Sequence, residues 1–336
     1  MTRLSIPTPF SGGIFMSYRC THHCKHCMYA CSSRWPADWL SLEDAKLLLT
    51  QLVRHLRGRY PRSSRVGVNY GIHWTGGEPF LNYDLLLKLT TMGARLGLPA
   101  TFVETNCYWC RDDEITRARL TELKEAGLQG ILISANPFVL EGTPFEHTAR
   151  AARIAQEVFG DNAMIYQAYF FRQFRTMGLK GRCSFEEYLQ MAPHGLAQAE
   201  LLPNGRVPYR LGHLFRQHPA ERFFGQSCRQ ELLRDWHIHI DNYGNYVPGY
   251  CGGLSLGDAR DLDALIDGID LEERPVLRAL LTDIETLLRL GMDYGYRPQE
   301  SYVSKCHLCA DVRRYLVARD HFPELAPAAF YEHLED

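Results

Sequence analysis

Three cysteines fall within eight residues, Cys20-Thr21-His22-His23-Cys24-Lys25-His26-Cys27, in a chain that holds eleven. Thiolates at this spacing can hold three corners of a cubane iron–sulfur cluster and leave its fourth iron open. They can equally form a zinc knuckle completed by His22, His23, His26 or Cys31, and the loop by itself leaves both chemistries open. A second group, Cys228, Cys251, Cys306 and Cys309, lies in the last third of the chain. Two metal sites in two regions is the first expectation, because a reducing cytosol gives a chain of 336 residues little use for disulfides. Of the remaining cysteines, Cys31 reads as structural. Cys107 and Cys110 have the spacing of a redox or ligand pair but are too few to hold a cluster, so a buried pair beside a pocket is the simpler reading. Cys183 stands between two expected strands, where an ordinary packed thiol and a substrate-facing one are both open.

Groups such as these need a scaffold, and from Gly12 to Leu202 short apolar runs alternate with segments of helical period, the pattern of repeated β-α units. Strands are expected at 13–18, 66–74, 101–105, 131–134, 164–171 and 197–202. Ser41-Leu42-Glu43-Asp44 reads as a capping box opening a helix with Leu42, Ala45, Leu49, Leu52, Val53 and Leu56 on one face, stopped by Gly58 and Pro61. Further helices are expected at 82–96, 113–126 and 145–159. Six such repeats make an incomplete parallel barrel, an α/β (β/α)6 relative of the TIM barrel, whose reactive groups belong at the C-terminal ends of the strands. Cys20, Gly76-Gly77-Glu78-Pro79 and Asn106 all stand at such ends. Beyond Pro203 the sequence turns Gly-, Pro- and Tyr-rich, with alternation in Trp236–Ile240 and a turn at Asp241-Asn242-Tyr243-Gly244-Asn245. Helices are expected at 261–266 and 275–290, and Cys306 to Cys309 opens the last. The expected division is therefore 1–203 for the barrel and 204–336 for a small cysteine-rich α+β module. Apolar residues at 46%, charged at 23% and a net charge of -2 describe an ordinary globular chain and argue against a nucleic-acid binder. With no apolar run of membrane-spanning length and no signal-peptide start, a soluble cytoplasmic protein is expected.

The cysteine loop and the Gly76–Pro79 turn together resemble the radical S-adenosylmethionine (SAM) superfamily. The loop matches its Cys-x3-Cys-x2-Cys signature, and Gly76-Gly77-Glu78-Pro79 matches the motif that meets the amino group of SAM. The resemblance implies that Cys20, Cys24 and Cys27 hold a [4Fe-4S] cluster whose open iron is chelated by SAM. Reductive cleavage of SAM then gives a 5′-deoxyadenosyl radical that takes hydrogen from a substrate. His26 departs from the pattern, since the residue before the third cysteine is usually aromatic. Thr105-Asn106 resembles the Thr-Asn-Gly strand end of the superfamily, with Cys107 in place of Gly. Ser134 and Asn136 match positions that meet the ribose or carboxylate of SAM, and Gln167 is a further ribose candidate. For Asn106 and Ser134 the alternative is a strand-end turn role, and for Gln167 a satisfied buried amide.

The stretch from Cys228 through Ile238–Asn245 and Pro248 to Cys251, followed by Leu256-Gly257-Asp258, resembles the SPASM and twitch extensions of that superfamily, as Asn204-Gly205-Arg206 resembles the turn that precedes them. This implies that Cys228, Cys251, Cys306 and Cys309 hold one auxiliary [4Fe-4S] cluster; a four-cysteine zinc site is the alternative. The resemblance implies a peptide or peptide-like substrate, with a small-molecule precursor or a non-catalytic electron carrier as alternatives, and a flavodoxin- or ferredoxin-type electron donor. Were the product an epimer, Cys183 is the candidate hydrogen donor.

Overall fold

The computed structural model describes residues 3–56, 60 and 65–336, so the expected helix stop at Gly58 and Pro61 lies outside the described residues. Its strands are β1 (Arg3–Leu4), β2 (Gly12–Phe15), β3 (Ile72–Thr75), β4 (Thr101–Thr105), β5 (Gly130–Ser134), β6 (Ala163–Tyr166), β7 (Ile238–Ile240), β8 (Tyr246–Val247) and β9 (Ile269–Asp270). The chain divides into two compact units, one of Phe10–Cys24 with Cys31–Glu200, the other of Met1–Pro9, Lys25–Ala30 and Leu201–Asp336. The division near residue 200 lies close to the boundary expected at 203. The two short segments assigned to the second unit have no signal in composition.

In the first unit β2 to β6 form a parallel sheet in sequential order, with Phe15 beside Thr75, Trp74 beside Val103, Thr105 beside Ile133 and Ser134 beside Tyr166. Parallel strands need a crossover between each pair, and helices α1 (Leu42–Leu56), α2 (Tyr83–Leu96), α3 (Asp113–Glu125), α4 (Pro137–Leu140) and α5 (Phe145–Phe159) lie in those crossovers. The α1 start has the expected cap: the Asp44 amide donates to Ser41 Oγ at 3.0 Å, and Ala45, Leu48, Leu49, Leu52, Val53 and Leu56 are buried. Because all five strands run the same way, the residues after Phe15, Thr75, Thr105, Ser134 and Tyr166 leave the sheet at one edge.

Several expectations for this unit are corrected. Leu42 is exposed and stands off the buried face of α1, and the strand expected at 66–74 begins only at Ile72. The strand expected at 164–171 ends at Tyr166, and α6 (Ala168–Thr176) and α7 (Phe185–Met191) occupy much of the stretch up to Pro193. Phe170, Phe171 and Phe174 recur at helical, not strand, spacing and pack with Phe145 and Tyr188. The sixth strand expected at 197–202 is absent: Gly195–Gln198 is a 3-10 turn, with Gly195 tucked under the Tyr188 ring, where a Cβ would lie 1.9 Å from the phenolic oxygen. A close approach by a glycine turns the chain there, and the sheet of this unit has five strands.

The second unit pairs β1 with β9 and β7 with β8, both antiparallel. The expected hairpin turn is present. Asp241 carries it, its Oδ1 accepting from the Tyr243 and Asn245 amides and its Oδ2 from the Asn245 side chain, while Gly244 takes φ +88°. Short helices α8 (Val207–Arg210), α9 (Arg229–Leu232) and α10 (Leu262–Asp267) precede α11 (Pro275–Thr282), α12 (Ile284–Asp293) and α13 (Lys305–Val317). The single helix expected at 275–290 is broken at Asp283, whose extended backbone lets its carboxylate accept from the Glu285 amide and start a new helix. Among the described residues no helix is long and apolar enough to cross a membrane.

Candidate functional site

The edge where β2 to β6 end is polar. At its centre the turn after β3 lies directly on the chain that enters the cysteine loop: Met16 N donates to Thr75 O (3.0 Å), Gly77 N to Ser17 O (2.8 Å) and Glu78 N to Arg19 O (3.1 Å). The two glycines are sterically required. A Cβ on Gly76 would lie 2.3 Å from Ser17 O, and one on Gly77 would lie 2.0 Å from Arg19 O and 2.9 Å from Cys20 N. Backbone thus packs on backbone immediately before the first cysteine. Pro79 opens the short 3-10 turn that follows, where its fixed φ and missing N–H carry no penalty.

Glu78 is 1% exposed, and its carboxylate ties two strand ends together. Its Oε1 accepts from Phe80 N (3.1 Å) and Thr105 Oγ1 (2.9 Å), and its Oε2 from Asn106 N (2.8 Å). Burial pushes its pKa up to about 7 even though these three donors pull the other way. Asn106 carries the connection into the loop, its Nδ2 lying 3.0 Å from Thr21 Oγ1, 2.7 Å from His22 Nδ1 and 3.7 Å from Cys20 Sγ. Its Oδ1 accepts from Tyr108 N, so a strand-end turn and a reach to the first thiol coexist in one side chain.

His22, between the first two cysteines, is the anchor that sequence reading named only as a zinc alternative. It is buried, its Nδ1 faces Asn106 and Thr21, and its Nε2 meets Thr143 Oγ1 at 3.1 Å. Because Asn106 donates to Nδ1, the network assigns the ring proton to Nε2. Burial lowers its pKa to about 4, with Arg182 and His23 adding to the effect, so the ring is neutral near pH 7. Gly142 makes room, since a Cβ there would lie 1.9 Å from the imidazole. Cys24 Sγ lies 3.7 Å from Phe138 O.

The other expected SAM contacts are spread along the same edge. Ser134 Oγ approaches Glu104 Oε1 at 3.5 Å, and Glu104 Oε2 accepts from Thr75 Oγ1 at 2.9 Å. Glu104 was missed, although a charged residue inside the apolar strand Thr101–Thr105 is itself a signal. Asn136 caps α4, its Oδ1 accepting from Phe138 N and Val139 N. Gln167 stands before α6 with its Nε2 3.4 Å from Glu200 O and its Oε1 buried without a protein partner. Cys107 and Cys110 are fully buried, Cys110 N donating to Cys107 O at 3.1 Å, and Cys107 has φ +63°, the left-handed region that explains why glycine suits this position. Cys183 lies in the cluster of Phe145, Phe170, Phe174 and Tyr188, its thiol donating to Ser184 O at 3.4 Å, and burial raises its pKa. Those are the surroundings of a packed core thiol.

Cys27 belongs to the second unit, where the Asn204-Gly205-Arg206 turn meets it. Arg206 N donates to Cys27 O at 3.1 Å, and a Cβ on Gly205 would lie 2.5 Å from that oxygen. Arg206 is fully buried, its Nη2 donating to Ala30 O (2.7 Å) and its Nε to His333 O (2.9 Å), with Asp336 3.7 Å away. Burial lowers the pKa of His26 to about 4, helped by Arg206.

The four remaining expected ligands lie within electrostatic reach of one another. Cys306 and Cys309 occupy the first turns of α13, capped by Ser304, whose Oγ accepts from His307 N at 3.0 Å. Cys228 stands immediately before α9 and its N–H donates to Leu280 O, and Cys251 follows the hairpin with its N–H on Pro248 O. Burial, reinforced by the neighbouring thiols, pushes Cys251 up to about 12 and Cys306 to about 11 and raises Cys228 further. Cys306 is nonetheless accessible to solvent, so it is a thiol ringed by protein at a rim that water reaches. Among the described residues no three His, Cys, Asp or Glu side chains are drawn together as they are around a single metal ion.

No protein-family model matches the chain, and no curated protein matches it. Among solved structures it is similar to BtrN in complex with AdoMet and 2-DOIA, at 15% identity over 76% of this chain and 82% of that one, with a TM-score of 0.43. It is similar to native anSMEcpe with bound AdoMet and the Cp18Cys peptide, at 13% identity over 93% and 98% of the two chains, with a TM-score of 0.45. A third similarity is to SuiB of Streptococcus suis bound to S-adenosylmethionine, at 13% identity over 94% and 76%, with a TM-score of 0.34.

Proposed function

We propose that this protein is a radical SAM enzyme: Cys20, Cys24 and Cys27 hold a [4Fe-4S] cluster and the Gly76–Pro79 turn receives the amino group of SAM. The observation that carries this reading is the backbone seam of Gly76-Gly77-Glu78 on Ser17–Cys20, which holds the turn directly against the chain that enters the first cysteine, with no side chain between them. The donor set fits the group. Three thiols, one within reach of the Asn106 amide, stand in a loop oriented by a neutral histidine whose second nitrogen is already engaged. When bound, the reduced cluster supplies the electron that cleaves SAM to methionine and a 5′-deoxyadenosyl radical. Asn106, Ser134, Asn136 and Gln167 line the strand ends where the rest of SAM is held, Gln167 through its unpartnered Oε1.

Cys228, Cys251, Cys306 and Cys309 hold a second, auxiliary [4Fe-4S] cluster in this reading, and the substrate is a peptide or peptide-like molecule. The electron enters from a flavodoxin- or ferredoxin-type donor. The test is anaerobic reconstitution followed by reaction with dithionite and SAM. About eight irons and formation of 5′-deoxyadenosine are expected, with about four irons and no 5′-deoxyadenosine when Cys20, Cys24 and Cys27 are all changed to Ala. Undiminished 5′-deoxyadenosine in that variant refutes the assignment. Zinc in place of half the iron refutes the auxiliary cluster.

A further inference from the structure

Arg313 is 5% exposed, and among the described residues no carboxylate is paired with it. It stands on α13 one turn beyond Cys309 and two beyond Cys306, so all three project from one face of the helix. Its Nη1 donates to Gly252 O and to Tyr331 Oη, both at 3.1 Å, and its Nε has no oxygen or nitrogen partner. The guanidinium also meets the Cys309 thiol and faces Cys251. A buried guanidinium without a counter-charge is strongly unfavourable. The oxygens it bonds, a backbone carbonyl and a tyrosine hydroxyl, carry no formal negative charge. On the other side of the cysteine group Lys305 Nζ donates to Ser227 O at 2.9 Å and meets the Cys228 thiol, but it shares its charge with Glu231 at 3.5 Å.

Four thiolates on an iron–sulfur core carry a net negative charge that deepens on reduction, which is the partner this buried cation lacks. Resting on the auxiliary cluster of the proposed function, we infer that Arg313, assisted by Lys305, is the built-in counter-cation of that cluster and raises its reduction potential, suiting it to accept an electron.

The test uses the full chain with Cys20, Cys24 and Cys27 changed to Ala, so that the auxiliary cluster alone is titrated potentiometrically by electron paramagnetic resonance. Arg313→Gln should make reduction at least tenfold less favourable, about 59 mV for one electron. Arg313→Lys should recover most of that shift, and Lys305→Gln should move the potential the same way by less. An iron-loaded Arg313→Gln protein with the parent potential overturns the assignment and leaves the auxiliary cluster intact as a reading. If Arg313→Gln takes up no iron, Lys305→Gln decides, and a parent potential there overturns it. A parent protein that takes up no iron overturns both the auxiliary cluster and this inference.

Discussion

Placing a methyl group on Gly77 should separate the Gly76–Pro79 turn from the cysteine loop. Alanine there would put Cβ 2.0 Å from Arg19 O, 2.4 Å from Arg19 C and 2.9 Å from Cys20 N, all backbone atoms that no side-chain rotation can move aside. Relief requires the two chains to part by roughly an ångström or more, an overpacking strain of ~1–3 kcal/mol. It also weakens the bonds from Gly77 N to Ser17 O and from Glu78 N to Arg19 O, each worth ~1 kcal/mol net, so a total near 3–4 kcal/mol is expected. Gly97 is the control: at φ +82° with nothing within 4 Å of its added Cβ, Gly97→Ala should cost only the left-handed backbone penalty of ~1–2 kcal/mol. Urea unfolding of the apo protein at one pH, with iron uptake measured in parallel, compares the two. Gly77→Ala should lose both stability and SAM-cluster iron, whereas Gly97→Ala should keep its iron. Equal losses of stability in the two variants, with full iron in both, would refute the claim that this seam positions the loop.

Three further outcomes follow from the same geometry. Because the Glu78 pKa is raised to about 7 by burial, the folded protein binds a proton that the unfolded chain releases near 4.5; the stability this contributes is complete below 4.5 and is lost as pH rises to about 7, on the order of 3 kcal/mol. Glu78→Gln should flatten that part of the stability–pH curve, and an unchanged slope would remove Glu78 as its source. His22→Phe keeps a ring but removes one acceptor of the Asn106 amide, which retains Thr21 Oγ1, and the partner of Thr143 Oγ1, so apo stability should fall by ~1–3 kcal/mol, with His22→Asn falling less; equal stability of all three proteins counts against the anchor. Arg206→Met removes the buried cation beside the Asp336 carboxylate and the donors to the Ala30 and His333 carbonyls, and thermal unfolding should show a loss of ~3–5 kcal/mol, where a change under 1 kcal/mol contradicts the role given to it.

Period and punctuation made much of the fold legible. Strands β2 to β6 and helices α1 to α3 and α5 are long-period features whose apolar faces must be buried, and the Asp241–Asn245 turn needs a glycine with positive φ where Gly244 stands. The failures have local causes. Ala197–Leu202 has a strand-like composition, but the tight approach of Gly195 to Tyr188 turns the chain, and Asp283 interrupts a helical apolar face because a cap outweighs continued periodicity. Among site residues, the cysteines and the Gly76–Pro79 turn were visible because their spacing has a chemical meaning. His22 and Arg313 were not, because what defines each is a partner far along the chain: Asn106 and Thr143 for the first, Gly252 and Tyr331 for the second. Arg313 did leave a trace, a Cys-x2-Cys-x3-Arg run on one helix.

The most direct measurement of the central claim is made on the protein with Cys306 and Cys309 changed to Ala, so that only the cluster proposed for Cys20, Cys24 and Cys27 remains. Its electron paramagnetic resonance spectrum after reduction is recorded with and without SAM. SAM bound at an open iron beside the Gly76–Pro79 turn must change that spectrum, and the change should weaken in Glu78→Gln, which alters the carboxylate of that turn without touching a thiol. A reduced cluster whose spectrum is indifferent to saturating SAM would contradict the account.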